Sequence, residues 1–290
     1  MYELVGVTKH SFYIDNPSKV GLFLDGDTCY LIDSGNDKDA ARKISQIVEK
    51  LDVKCGGIIL THSNADHMGG AAALSARLNA PVYSTWQETA FVRNPVLEPA
   101  YLFGGRPFKG LSNKFLMAKP VDIVNEGALP AGLEYIPLPG HFFGMAGVMT
   151  PDRVFFAADC VFGENIIDKY HLSYVYDPGL FMETLALLPT LDAAWYVPSH
   201  APATQDIKPL AEKNIAKVLE IIDVVLSLCD NATGFDDLLA AVFSHFGLSM
   251  DYNQYVLVGS TLKNYLSWLC DERKIEVLVE QNRLLWRTVR

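Results

Sequence analysis

The stretch "THSNADHMGG", residues 61–70, sets two histidines, an asparagine and an aspartate within six positions and follows them with two glycines. It comes directly after "GGIIL", a short apolar run that reads as a buried strand, and directly before "AAALSARLN", which has a helical texture. The polar groups therefore sit where a strand gives way to a helix. Working outward, the same grammar recurs three times. His141 lies in "IPLPGHFFG", Asp159 ends "VFFAAD" and His200 ends "WYVPSH". Strand ends converge at one rim of a sheet, so groups far apart in sequence can meet in space. Imidazole and carboxylate together hold a borderline or hard divalent cation in open coordination. A metal-free cluster of this many ionisable groups would be costly to bury.

The flanking sequence alternates strands and helices. "GLFLDG" and "TCYLIDSG" predict a hairpin closed by "DGDT". "NDKDAARKISQIVEKL" predicts a helix with Ile44, Ile47, Val48 and Leu51 on one face and Asn36 or Asp37 as cap. "DHMGGAAALSARLN" reads as one helix and "APVYST" as a strand. Residues 86–119, rich in aromatics, Gly and Pro, are expected to be a lid or binding loop, with a pair of short helices as the other reading. Strands return at "VDIV", "LEYIPL", "AGVMT" and "RVFFAAD", followed by the helix "GLFMETLALLPTL" and the strand "AWYVPSH". Two sheets with helices on their outer faces are expected. A long helix runs from Asp206 to near Asp230, with Ile207, Leu210, Ile215, Val218, Ile222 and Val225 at helical spacing. Two amphipathic helices and a terminal hairpin, "IEVLVEQNRLLWRTV", complete the chain.

At these residues the sequence resembles the metallo-β-lactamase-fold hydrolases. Their signature is HxHxDH, then a His in a PGH context, an Asp at a strand end and a final His. Here the matching positions are His62-x-Asn64-x-Asp66-His67, His141, Asp159 and His200. The resemblance implies an α/β (α+β) fold, an αββα sandwich with a smaller C-terminal winged-helix-like domain. The expected division is a catalytic domain over 1–205, a connecting helix over 206–230 and the appendage over 231–290. It further implies His62, Asp66, His67, His141, Asp159 and His200 as metal ligands, with Asp159 bridging two ions. Asp66 would also be catalytic, orienting the nucleophile and handling a proton. Asp33, in "YLIDSG", would support the site from behind.

Asn64 departs from that pattern. An amide oxygen is neutral and a poorer donor to zinc than imidazole, so Asn64 is expected to give at most a weak metal contact. The first site then keeps His62, His141 and Asp159, while the second has Asp66, His67, Asp159 and His200. Two unequal metals, one metal in the second site, or none that is productive are the three readings. Zinc is the expected ion, and oxygen-richer coordination admits iron or manganese.

The resemblance implies hydrolysis of a thioester, lactone, amide-like ring or phosphodiester, and the expected mechanism is attack on an acyl carbon by a metal-held hydroxide. The leading expectation is a small acyl substrate, a thioester or lactone. A ribonuclease or phosphodiesterase is the first alternative, and a non-hydrolytic iron-binding redox or sensor protein the second. The formal net charge of −10, with no Lys/Arg cluster, disfavours nucleic acid. Half of the 290 residues are hydrophobic and a fifth charged, enough for a sizeable core. Five scattered cysteines without a CxxC pair read as reduced thiols. With neither an obvious leader nor a membrane-length apolar run, a cytoplasmic protein is expected. Cys160, beside Asp159, should point away from the site by strand alternation. Tyr101 and Phe103 are candidate substrate contacts, with packing of the lid against the body as the alternative. His171, expected in a Tyr-rich loop after the Asp159 strand, is another, with an ordinary surface loop as its alternative. The tail's balanced charge favours packing or a homodimer contact over DNA.

Overall fold

The first strands form an antiparallel meander: β1 (Glu3–Gly6), β2 (Ser11–Asp15), β3 (Val20–Asp25) and β4 (Thr28–Ile32). In this computed structural model, which describes residues 2–126 and 129–290, β5 (Lys54–Ile59), β6 (Val82–Ser84) and β7 (Asn125–Glu126) extend the meander in parallel. The spatial order of the sheet equals its chain order. Helix α1 (Lys38–Lys50) crosses from β4 to β5, and Asp37 caps it by accepting the backbone N–H groups of Asp39 and Ala40. Ile44 and Val48 of α1, with Leu74 of α3 (Ala71–Leu78), bury the outer face formed by Leu22, Leu31 and Ile58.

The second sheet has the order β11 (Trp195–Pro198), β10 (Val154–Ala158), β9 (Ala146–Met149), β8 (Glu134–Pro137). Phe23, Ile32 and Ile59 of the first sheet meet Val148, Val154, Phe156 and Val197 of the second. The outer face of the second sheet is covered by α7 (Pro178–Leu187) and α8 (Lys208–Leu228), giving the αββα sandwich.

Several local expectations are corrected. The helix expected from Asp66 to Asn79 is broken into α2 (Ala65–Met68) and α3. The break falls at the glycine pair, because a Cβ at Gly69 would lie 2.2 Å from the carbonyl oxygen of Asn36, and one at Gly70 equally close to that of Ser34. The "VDIV" segment is not a strand; β7 begins just after it. The lid loop is instead the pair of short helices α4 (Trp86–Arg93) and α5 (Leu97–Phe103), with a 3₁₀ turn at Lys109–Leu111. Another helix, α6 (Glu164–Tyr170), follows Asp159 where a loop is expected.

Beyond α8 come β12 (Thr233–Gly234), α9 (Phe235–His245), α10 (Tyr252–Asp271), β13 (Ile275–Glu280) and β14 (Arg283–Thr288), with β14 central in a small sheet. This unit shares a core with the sandwich: Tyr265, Leu266 and Leu269 cluster with Phe181, Leu185, Val218 and Ile222. Val256 of α10 also packs with Leu102, Leu111 and Leu116, so α10 holds α5 in place. No described helix is long and apolar enough to cross a membrane.

Candidate metal centre

Every donor singled out in the sequence lies just beyond a strand. Asp33 follows β4, the His62–His67 run follows β5, His141 follows β8, Asp159 follows β10 and His200 follows β11. The backbone turns sharply there, with φ of +66° at Asp33 and +49° at Ala158. Gly140 has φ of +119°, and a Cβ on it would lie 2.3 Å from the backbone nitrogen of Phe181. Only glycine lets the His141 loop close against the start of α7.

The four imidazoles share one orientation. His67 Nδ1 donates to Asp33 Oδ2 at 2.8 Å, His141 Nδ1 to the Tyr174 carbonyl at 2.9 Å and His200 Nδ1 to the Pro17 carbonyl at 2.9 Å. His62 Nδ1 lies 3.0 Å from Thr61 Oγ1, which in turn donates to Asp33. With Nδ1 engaged behind, each ring offers Nε2 to a common centre. Asp159 faces both halves of that centre. Its Oδ1 is 3.2 Å from His67 Nε2, and its Oδ2 is 3.2 Å from His200 Nε2 and 3.8 Å from His141 Nε2. Asp66 Oδ2 is 3.4 Å from His67 Nε2 and 3.3 Å from His200 Nε2, and accepts from Ser18 Oγ at 2.6 Å.

These residues fit a divalent cation. Donors about 2.1 Å from a tetrahedral ion stand roughly 3.4 Å from one another, which is the spacing found here. The buried His62 Nε2, His67 Nε2 and Asp159 Oδ1 make no hydrogen bond within the chain. Two groups of donors result: Asp66, His67, Asp159 and His200, and His62, His141 and Asp159. Protons take the place of a cation when none is bound. Burial would raise Asp159 and Asp66, but the imidazoles of His67 and His200 outweigh it and hold both carboxyls well below their usual range. Burial would lower His67 and His200, but the facing carboxylates outweigh it, pushing His67 well up and His200 up to about 10. Burial keeps His62 and His141 low.

The sequence profile described as the metallo-beta-lactamase superfamily matches residues 14–200, which span all of these donors. The chain belongs to the metallo-beta-lactamase superfamily. A probable metallo-hydrolase, YqgX of Bacillus subtilis (strain 168), is 28% identical over 146 residues, 49% of this chain and 62% of that protein. The match thus spans less than two thirds of that relative's length. A beta-lactamase domain protein from Burkholderia ambifaria shares the fold with a TM-score of 0.72 at 16% identity, covering 99% of this chain and 94% of its own. A metallo-beta-lactamase family protein from Thermus thermophilus aligns with a TM-score of 0.71 at 19% identity, covering 99% and 98%. The shared fold therefore includes the C-terminal unit.

In this superfamily member Asp66, His141, Asp159 and His200 form the floor of a cavity of about 510 Å³, with His62 and His67 buried behind them. Its walls include Leu102, Leu116, Phe162, Ile166, Leu172, Leu257 and Val258. Tyr101, Phe103 and His171, the candidate substrate contacts, are not on that wall. Tyr101 packs against Phe143 and Tyr176, and Phe103 lies against Phe108. His171 closes the C-terminal end of α6 and stacks on Phe246 at 5.1 Å. Sequence reasoning missed Ser18, Glu98 and the α10 residues Gln254, Leu257 and Val258. Ser18 and Glu98 lie far from the motif in sequence, and α10 reads simply as an amphipathic helix. Asn64 points its Oδ1 at His141 Nε2, 3.1 Å away, and donates through Nδ2 to Glu98 Oε1 at 2.7 Å.

Proposed function

We propose that the protein is a zinc-dependent hydrolase of small, largely apolar acyl compounds, thioesters or lactones. The observation that carries this reading is the cavity wall. Aliphatic and aromatic side chains, Leu102, Leu116, Phe162, Ile166, Leu172, Leu257 and Val258 among them, surround the donor floor. Among the described lining residues Lys114 is the one lysine or arginine, and it is exposed and paired with Asp37 at 2.9 Å. An apolar acyl group gains from such walls by leaving water. A polyphosphate or nucleic-acid backbone finds no set of cations to pair with.

A bound zinc ion supplies a water of lowered pKa and polarises the substrate carbonyl. The chain's own groups do the rest. Asp66 is partly exposed to the cavity, with its carboxylate fixed by Ser18, so it can orient a nucleophile and take up its proton. Pro17 and Ser18, on one turn between β2 and β3, fix His200 and Asp66 together. Imidazole with carboxylate suits zinc. The order helix, strand, helix, helix, hairpin in the tail supports a winged-helix-like unit. Its α10 is used as a cavity wall, through Gln254, Leu257 and Val258.

The test is turnover of zinc-loaded protein on short- and medium-chain acyl thioesters and lactones, beside a bis-aryl phosphodiester and RNA. Hydrolysis that strengthens with acyl length supports the reading. Phosphodiester cleavage that falls steeply with salt, without acyl hydrolysis, would replace it.

A further inference from the structure

Asn64 stands where the superfamily motif carries a ligating histidine, and a primary amide can present either of two ends. With Nδ2 toward His141, it would donate to that ring's Nε2 and consume the lone pair meant for a cation. With Oδ1 toward His141, it adds an oxygen to the group. The structure shows the second arrangement. Oδ1 lies 3.1 Å from His141 Nε2, while Nδ2 donates to Glu98 Oε1 at 2.7 Å. His141 Nδ1 is already committed to the Tyr174 carbonyl, which can only accept, so the neutral ring carries its proton there and leaves Nε2 bare. Two acceptors therefore face each other at a separation that suits a shared cation.

We infer that Glu98 is a positioning residue that turns Asn64 into a ligand of the first metal group. Glu98 is buried in α5, whose neighbour Leu102 packs with Leu111, Leu116 and Val256, so its carboxyl is held rather than mobile. Glu98 stands behind Asn64; the donors grouped on the first side are His62, His141 and Asp159. With the Asn64 oxygen added, that group has two imidazoles and two oxygens, the same count as Asp66, His67, Asp159 and His200. The two groups then differ by charge, since Asn64 is neutral where Asp66 is anionic. The first group fills second. This inference rests on the hydrolase reading for its metal, but it concerns how this chain replaces a missing imidazole.

The test uses zinc alone as probe, with equivalents measured by elemental analysis and the weaker site's affinity by chelator competition. Wild type is expected to hold two ions of unequal affinity. Glu98→Met, which keeps bulk but loses the acceptor, should weaken the weaker site by about ten- to a hundredfold, the usual effect of losing a group that orients a ligand, and leave the tighter site unchanged. Glu98→Gln retains an acceptor and should stay within a few-fold of wild type. Asn64→His combined with Glu98→Met should recover the weaker site, because an imidazole needs no amide to be oriented. An unchanged weaker site in Glu98→Met would overturn the inference. So would a double variant as weak as Glu98→Met alone, since Glu98 would then act on the general structure. A wild type that binds one zinc overturns the inference and leaves the hydrolase reading standing, whereas one that binds none overturns both.

Discussion

Asp33 Oδ2 accepts the Nδ1–H of His67 at 2.8 Å, and the same carboxylate accepts the hydroxyl of Thr61, which lies 3.0 Å from His62 Nδ1. One buried side chain thus sets an imidazole in each half of the donor cluster. Asp33→Ala should lower zinc affinity by about ten- to a hundredfold, as is usual when a group orienting a ligand is lost. The effect should reach both sites, directly through His67 and through Thr61 for His62. Chelator competition on the folded variant measures it, and affinity unchanged at both sites would remove Asp33 from that role.

Asp159 offers one oxygen toward His67 and the other toward His200 and His141. Asp159→Ala should therefore take zinc from both groups, so that elemental analysis falls from two equivalents toward none. It should also abolish the rise in thermal midpoint that zinc gives the wild type, since a ligand stabilises only the state that binds it. Retention of a full equivalent would show that Asp159 serves one ion rather than both.

Much of this site is legible in the sequence because each donor is announced by local grammar: an apolar run, then a turn residue, then His or Asp. His62, Asp66, His67, His141, Asp159 and His200 all obey it. The sandwich is legible for the same reason, since strand and helix periods differ. What escapes is contact between segments. The 2.6 Å link from Ser18 to Asp66 spans 48 positions, and Glu98 reaches Asn64 from a short helix in a segment whose Gly, Pro and aromatic residues read as a loop. The break at Gly69–Gly70 depends on the Ser34–Asn36 backbone pressing against it, which no local pattern encodes. The cavity wall is hidden in the same way, because Leu257 and Val258 come from the distant α10.

Gly21 lies where the two sheets pack against each other without room for a side chain. A Cβ there would lie 2.6 Å from the Phe156 ring and 3.0 Å from Ile32 Cβ. Gly21→Val should destabilise the fold by about 1–3 kcal/mol through overpacking, read from urea denaturation at a fixed zinc concentration. Phe156→Leu placed in the same chain should return part of that loss by vacating ring volume. A Gly21→Val protein as stable as wild type would mean the sheets can part without penalty.

His200 supplies a pH signature that separates metal-free from zinc-loaded protein. Its ring in the metal-free fold is pushed up to about 10, because the carboxylates of Asp159 and Asp66 outweigh burial. An unfolded histidine titrates near ~6.5. The folded value is the higher one, so the stabilisation is complete below about 6.5 and is lost as pH rises through about 10. Asp66 and Asp159 are held low, so both stay ionised across that window and add no slope of their own. Metal-free protein should therefore lose stability between these limits, at up to about 1.4 kcal/mol per pH unit for the His200 proton, with the raised His67 ring adding a loss of the same sign. Zinc-loaded protein should lack this component, because a ligating imidazole carries no proton on the bound nitrogen. Loading with zinc near neutral pH should release protons into a weakly buffered solution. His200→Ala should reduce the metal-free slope even though it lowers stability overall, because one of the two raised imidazoles, His200 and His67, is gone. Equal slopes in metal-free wild type and His200→Ala would show that the ring does not carry its proton between those two carboxylates.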